Sequence, residues 1–416
     1  MSRVKILIIH DQYQIIGGAE MQNLEIMSSL SKDDQYTVAS VSFDGPKEIA
    51  KLSKISGISP PSQVRFYTSE SSPAHMLLNA PPYPLHRLPK IQYLASYSLK
   101  FQSIVRKAMR DFNPNVIYFD LWRSSRFFSE IKSVPTLLYS YLPPFGYLLK
   151  YVPKSILLKM SPHNAYLLTG SRSLLYLPLV ELDRSLYINI NEPTIVFSLS
   201  SLVDRLIRIE RKKRTELLFP PINVSPFLRS DNSNNRKDIV ITLGRIDQEK
   251  NLEQSIRILS RVNVGKLLIV GSLLRMDTWY LRKLYTLAKE LGVSDRVLFV
   301  TNAPFSQIFE LLKKSKIVLF PQEWGHSPYA SIVEAMASGC VPVVPKQGTP
   351  WEDIVQMGRF GFGYSTIEEA ANIIELLFSD SKSFKYWSSI AKKRASDFAQ
   401  EIFMAKLKSY IQQLAR

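Results

Sequence analysis

The strongest constraint on this chain is a rhythm: short apolar runs rich in Val, Ile and Leu, each followed by a stretch with apolar residues at helical spacing. Strands that alternate with helices of about ten to fifteen residues imply parallel sheets with helices on both faces, an α/β architecture. In the first half the strand runs are 4–9, 116–119, 136–141 and 194–199. Helical spacing marks 19–30 and a basic amphipathic stretch, 202–214. The sequence LFPPINVSPF near residue 220 and the polar run SDNSNNRKD at 230–238 then interrupt the pattern, as a linker does. Beyond them come strands at 239–243, 266–270, 297–300, 317–320 and 341–344, with helices at 252–261, 278–291, 306–314 and 328–337. Two Rossmann-like, doubly wound domains facing one cleft follow from this order: 1–220 and 221–395, with the helical stretch 396–416 packed back on the first. In open α/β sheets ligands bind outside the carboxyl ends of the strands, so the loops after strands are where chemistry is sought.

A chain of 416 residues with 45% hydrophobic residues suits two or three domains with proper cores. The single cysteine, Cys340, excludes an intramolecular disulfide and a multi-cysteine zinc site, and it reads as a small buried residue. Lys and Arg exceed Asp and Glu by 17, and the excess is spread over both halves. The residues between Glu130 and Glu181 include no acid, while Lys132, Lys150, Lys154, Lys159 and Arg172 stand among Phe145, Tyr147 and Tyr151. Such a segment suits an anionic membrane surface, or is core whose lysines reach water. The uncharged stretch 133–149 carries Pro135, Pro143 and Pro144, which would break a spanning helix. The apolar run at the N-terminus is short and reads as a buried strand rather than a leader. The expected place is the cytoplasm, with peripheral membrane association. No nucleic-acid module accompanies the positive charge, so nucleic acid is not an expected partner. No Gly-x-Gly-x-x-Gly follows any strand, which sets aside a dinucleotide-dependent dehydrogenase.

Four clusters fall on loops after strands. Gly17, Gly18, Ala19 and Glu20 precede the first helix, where backbone can approach a phosphate closely, although paired glycines also make plain tight turns. In GRIDQEKN, Arg245 and Lys250 straddle a strand-to-helix loop and could clamp a diphosphate, the guanidinium as a fork and the ammonium as a point charge. In PQEWGHSPYASIVEAMASGC, Ser327 and Pro328 suit a helix start and Gly339 its end, so the backbone N–H groups of Tyr329, Ala330, Ser331 and Ile332 would offer an anion site. Glu334 lies two turns in, and His326 stands in the preceding loop. In QGTPWEDIV, Gly348 and Glu352 follow the last strong strand in the same way.

These clusters, in this order, resemble the GT-B glycosyltransferases of family 4 (glycosyl transferases group 1), and among them most of all the lipid-linked-oligosaccharide mannosyltransferases. The glycine loop, PNVIYFD at 114–120, the strand at 193–201 and PPINVSPF at 220–227 match in the first half. In the second, Arg245 and Lys250 fall on the diphosphate-binding pair, Glu334 on the second Glu of the E-x7-E motif that holds the ribose, and Glu352 in the GG-x-x-E loop. The resemblance implies a retaining hexosyltransferase that works without a metal or separate cofactor. Its donor would be a GDP- or UDP-sugar, and its acceptor a glycan or polyprenyl-linked glycan receiving mannose or another hexose. Catalytic roles would fall to Arg245, Lys250, His326 and Tyr141. Donor binding would fall to Gly17, Gly18, Tyr329, Ala330, Ser331, Ile332, Glu334 and Glu352.

Three departures stand out. His326 occupies the place of the first Glu of E-x7-E, Tyr141 stands where a His is common near the reacting sugar, and Thr349 replaces one glycine of the GG loop. They leave a second reading open, a catalytically silent relative that binds a sugar nucleotide or glycan beside a partner transferase.

Overall fold

The structure, a computed structural model, describes residues 3–10, 13, 18–68, 87–120, 134–141, 194–211, 215–229, 236–273, 278–322 and 330–416. Gly17, His326 and Tyr329 lie outside them, as does nearly all of the basic aromatic segment.

Among the described residues, seven strands build the first sheet: β1 (Val4–Ile9), β2 (Tyr36–Val41), β3 (Arg65–Tyr67), β4 (Val116–Phe119), β5 (Thr136–Ser140), β6 (Ile195–Ser198) and β7 (Glu216–Leu217). Their order is β3-β2-β1-β4-β5-β6-β7, and every pairing is parallel. Around it lie α1 (Gly18–Ser31), α2 (Pro46–Ser56), α3 (Arg87–Phe112) and α4 (Ser201–Arg211). The pleat decides which helix meets which residue, because successive side chains point to opposite faces. Ile6 and Ile8 join Leu24 and Met27 of α1 in one core, whereas Leu7 and Ile9 join Phe101 and Val105 of α3 in another. With both faces covered, β1 has to be apolar at consecutive positions, and Ile6 to Ile9 are fully buried.

Among the described residues, six strands build the second sheet: β8 (Lys237–Leu243), β9 (Lys266–Gly271), β10 (Val297–Thr301), β11 (Ser315–Leu319), β12 (Val341–Pro345) and β13 (Phe362–Tyr364). The order is β10-β9-β8-β11-β12-β13, again parallel throughout. Its helices are α5 (Leu252–Leu259), α6 (Thr278–Glu290), α7 (Phe305–Lys314), α8 (Ala330–Ala337), α9 (Ile367–Ser379) and α10 (Ser381–Ala395). In each sheet the strand order reverses beside the first strand, between β1 and β4 and between β8 and β11. Those are the switch points where an open sheet leaves room for a ligand.

After α10 the chain returns to the first sheet. Ala399 bridges to Ile222, and α11 (Gln400–Leu414) then lies against the first sheet. The Phe403 ring sits 5.9 Å from Tyr139, the Tyr410 ring 5.2 Å from Phe197, and Lys408 Nζ 2.7 Å from Asp33. One apolar core therefore runs from β1 through α11 to the inner face of β8 and β9.

Candidate functional site

The carboxyl edges of the two sheets face each other, and the contacts between them show it. The chain leaves β6 and enters α4 at Ser201; it leaves β12 and makes one π-helical turn, Pro350–Ile354. The Ser201 backbone N–H donates to Asp353 Oδ2 at 3.1 Å, and its hydroxyl donates to the other carboxylate oxygen. Arg205 donates to Glu352 Oε2 at 2.7 Å. Both sets of post-strand loops thus border one cleft.

On the second-domain side, β8 ends in Gly244 and Arg245. A Cβ on Gly271, at the end of β9, would lie 1.5 Å from the Gly244 carbonyl oxygen, so only glycine lets the two strand ends close up. Asp247 lies 3.2 Å from Arg245, whose side chain stays half-exposed. Lys250 folds back over Gly244 and donates to Gln322 Oε1 at 3.3 Å, just past β11. Asn251, in the left-handed region at φ 49°, starts α5 and donates from its amide to the Pro321 carbonyl. Arg245 and Lys250 therefore stand on one loop at the β8/β11 switch point, two cations that a pyrophosphate could bridge.

Ala330, Ser331 and Ile332 form the first turn of α8. Glu334 follows them, and burial pushes its carboxyl up to about 7. Gly339, at φ +96°, ends the helix as its place in the sequence implies. Cys340 is buried and donates its thiol to the carbonyls of Leu312 and Ser315, and burial raises its thiol further, so it is no nucleophile. Thr349 is buried, and Glu352 is held by Arg205, whose guanidinium is in turn held more firmly protonated by that carboxylate.

The first-domain side carries a cluster that sequence reasoning missed. His10 follows β1 and Asp120 follows β4, at the other switch point; His10 Nδ1 lies 3.0 Å from Asp120 Oδ1. Asn23 of α1 donates to the second oxygen of Asp120 and to the Ala19 carbonyl. Glu20, in the first turn of α1, reaches to 3.9 Å from His10 Nε2. The His10 and Asp120 side chains are fully buried. Tyr141 sits just past β5 with its ring 5.0 Å from Tyr139. Burial and the nearby Asp120 carboxylate hold its hydroxyl protonated far into the alkaline range, so it can donate a hydrogen bond and not act as a base. Gly18 opens α1, where a Cβ would meet no atom within 4 Å. The signal for His10 and Asp120 was present: a polar residue directly after an apolar run, at the carboxyl end of a strand. Their pairing, across 110 residues, was not.

Residues 225–394 match the family described as glycosyl transferases group 1. Among curated proteins, the chain is 25% identical over 194 residues to GDP-Man:Man(3)GlcNAc(2)-PP-Dol alpha-1,2-mannosyltransferase of Dictyostelium discoideum, covering 43% of this chain and 38% of the relative. The Xenopus laevis protein of the same name is 29% identical over 182 residues, 40% of this chain and 37% of the relative. The aligned stretch thus spans well under half of the length of these relatives. Among solved structures, Anabaena HepE in complex with UDP and glucose superposes with a TM-score of 0.66 at 19% identity, over 99% of this chain and 100% of that one. Sucrose-phosphate synthase from Thermosynechococcus elongatus superposes with a TM-score of 0.72 at 15% identity, over 99% of each chain. Residues 225–394 thus resemble the glycosyl transferases of group 1, and the two facing sheets have the GT-B fold.

Proposed function

We propose that this chain is a glycosyltransferase that moves a sugar, mannose or another hexose, from a nucleotide-diphosphate sugar to a hydroxyl of a glycan or lipid-linked glycan. The observation that carries the reading is the placement of Arg245 and Lys250 together at the β8/β11 switch point, opposite a polar switch point in the facing sheet. The mannosyltransferase relatives, whose names print a GDP-mannose donor and a dolichol-linked acceptor, support a GDP-sugar; the neighbour solved with UDP and glucose supports a UDP-sugar.

The chemistry follows from that placement. The bond between the anomeric carbon and the diphosphate oxygen breaks, and its electron pair leaves with the diphosphate. The acceptor oxygen bonds to the same carbon, and its proton passes to the departing diphosphate, on the face that retains configuration. Arg245, Lys250 and the N–H groups at Ala330, Ser331 and Ile332 would stabilise the charge that develops on the leaving group, a role fixed cations perform without a metal ion. Glu334 would accept from the ribose hydroxyls. Gly18 leaves room for the diphosphate, and the Tyr141 hydroxyl would donate to the sugar. His326 and Tyr329 are assigned to the donor side by their sequence positions. Closure of the two domains would exclude water and suppress hydrolysis. Among the described residues no helix is long and apolar enough to cross a membrane, and peripheral association with an anionic surface is part of the proposal through the basic aromatic segment.

The test is a thermal-shift screen with GDP, UDP, GDP-mannose and UDP-glucose, followed by donor consumption with glycan acceptors. A true donor raises the melting temperature in proportion to occupancy and is consumed. Binding without consumption would favour the silent relative; no shift with any nucleotide would end the proposal.

A further inference from the structure

The π-helical turn Pro350–Ile354 is held from both sides. Toward the first domain, Asp353 accepts from the N–H and the hydroxyl of Ser201 and so caps α4 from the opposite domain. One turn further along α4, Arg205 grips Glu352. Toward the return crossing, Arg394 donates to the carbonyls of Asp353 and Ile354 and pairs with Asp397 at 2.8 Å. Its guanidinium lies 4.6 Å from the Phe398 ring, one residue before the Ala399 bridge to Ile222. The turn that presents Glu352 to the cleft is therefore tied to the place where the chain crosses between domains. Single-turn π-helices are frequent at functional sites, where an extra residue re-aims side chains.

We propose that Asp353 and Arg205 are positioning residues: an interdomain clasp that sets the Glu352 turn for donor only when the two domains are closed. The proposal rests on the glycosyltransferase reading for the word donor, but the clasp itself does not. Opening the cleft breaks the Ser201–Asp353 and Arg205–Glu352 contacts together, leaving the N-terminus of α4 uncapped and both charges to water. Closing it restores the cap, the ion pair and the orientation of the turn in one step. Arg205 thus senses closure from the first domain while touching no reacting atom.

The experiment places a donor–acceptor dye pair on Lys54→Cys in α2 and Lys382→Cys in α10. Both lysines are exposed, and the native Cys340 is buried out of reach of the dyes. Single-molecule transfer efficiency is read for the parent and for Arg205→Glu, Arg205→Lys and Asp353→Asn, each with and without GDP and UDP. Arg205 is half-exposed, so Arg205→Glu is expected to fold even if Asp353→Asn does not. The clasp predicts that Arg205→Glu depletes the closed population at least about fivefold and that Arg205→Lys, which keeps a charge but not the fork, recovers part of it. Turnover should fall in step with closure, and nucleotide affinity should fall by no more than the same factor, because a ligand that favours the closed state binds less well when that state is depleted. Parent and Arg205→Glu distributions that coincide would overturn the clasp. Variant-dependent closure with no response to GDP or UDP would keep the clasp and sink the glycosyltransferase reading instead.

Discussion

The two switch points of this molecule are built on opposite plans. At β8/β11 a guanidinium and an ammonium stand on an irregular loop, partly open to solvent and steadied by Asp247 and Gln322. At β1/β4 an imidazole, a carboxylate and an amide are sealed in mutual hydrogen bonds, with Glu20 and Tyr141 around them. On the proposed function the difference is a division of labour. A site meant to meet a strongly charged ligand can leave its charges near water, because the ligand brings the compensating charge. A site meant to orient neutral hydroxyls has to hold its polar groups rigid, since each hydroxyl bond is weak and directional.

Variants that attack each plan in turn would test that contrast. The largest effect is expected from Asp120→Ala, which removes a buried carboxylate that both the Asn23 amide and the His10 ring bond to. Urea unfolding should show a loss of about 3–5 kcal/mol, with nucleotide affinity kept by the folded fraction. A loss below about 1 kcal/mol would mean that the cluster is not a buried network. Next come Arg245→Ala and Lys250→Ala, which should leave the melting temperature nearly unchanged and cost about 10²–10³-fold in turnover, roughly 3–4 kcal/mol of transition-state stabilisation. Unchanged turnover in both would remove the cations from the chemistry.

Glu334→Gln gives a smaller and pH-dependent effect. The folded carboxyl titrates near 7 instead of 4.5, so between those values the folded state holds a proton that the unfolded chain has released. Stability from this group is therefore present below pH 4.5 and is lost as pH rises to 7. The Gln variant lacks the charge and should match the parent at pH 4.5, then exceed it by about 1–2 kcal/mol at pH 8, the carboxylate being only partly shielded from water. A melting-temperature difference that does not grow with pH would contradict the assignment. The smallest effect belongs to Arg3→Ala: its partner Asp34 is almost wholly exposed, and the pair should contribute under about 0.5 kcal/mol in chemical denaturation.

The interior strands were legible in the sequence because both faces of a covered parallel sheet must be apolar, and β1, β4, β9 and β12 are. The edges were not. β7 has two residues and β13 three, one of them glycine; β3 leaves two of three residues partly or fully exposed, too little pattern for any period to emerge. β2, YTVASV, hides Ser40 in its run, a polar residue inside a buried strand. Among the proposed site residues, the nearness of Arg245 and Lys250 was legible because one loop carries both. Glu352 was legible as a post-strand residue, but its grip on Arg205, 147 positions earlier, was not.

By itself the sequence determined the class of architecture and the loops after strands, since each depends on neighbours within a dozen residues and on backbone propensity. Tertiary structure alone decided that His10 meets Asp120, that Asp353 caps a helix of the other domain, and that the last helix seats its rings on Tyr139 and Phe197. Those pairings are chosen by which surfaces can be buried together once both sheets exist, and no local stretch of chain contains that information.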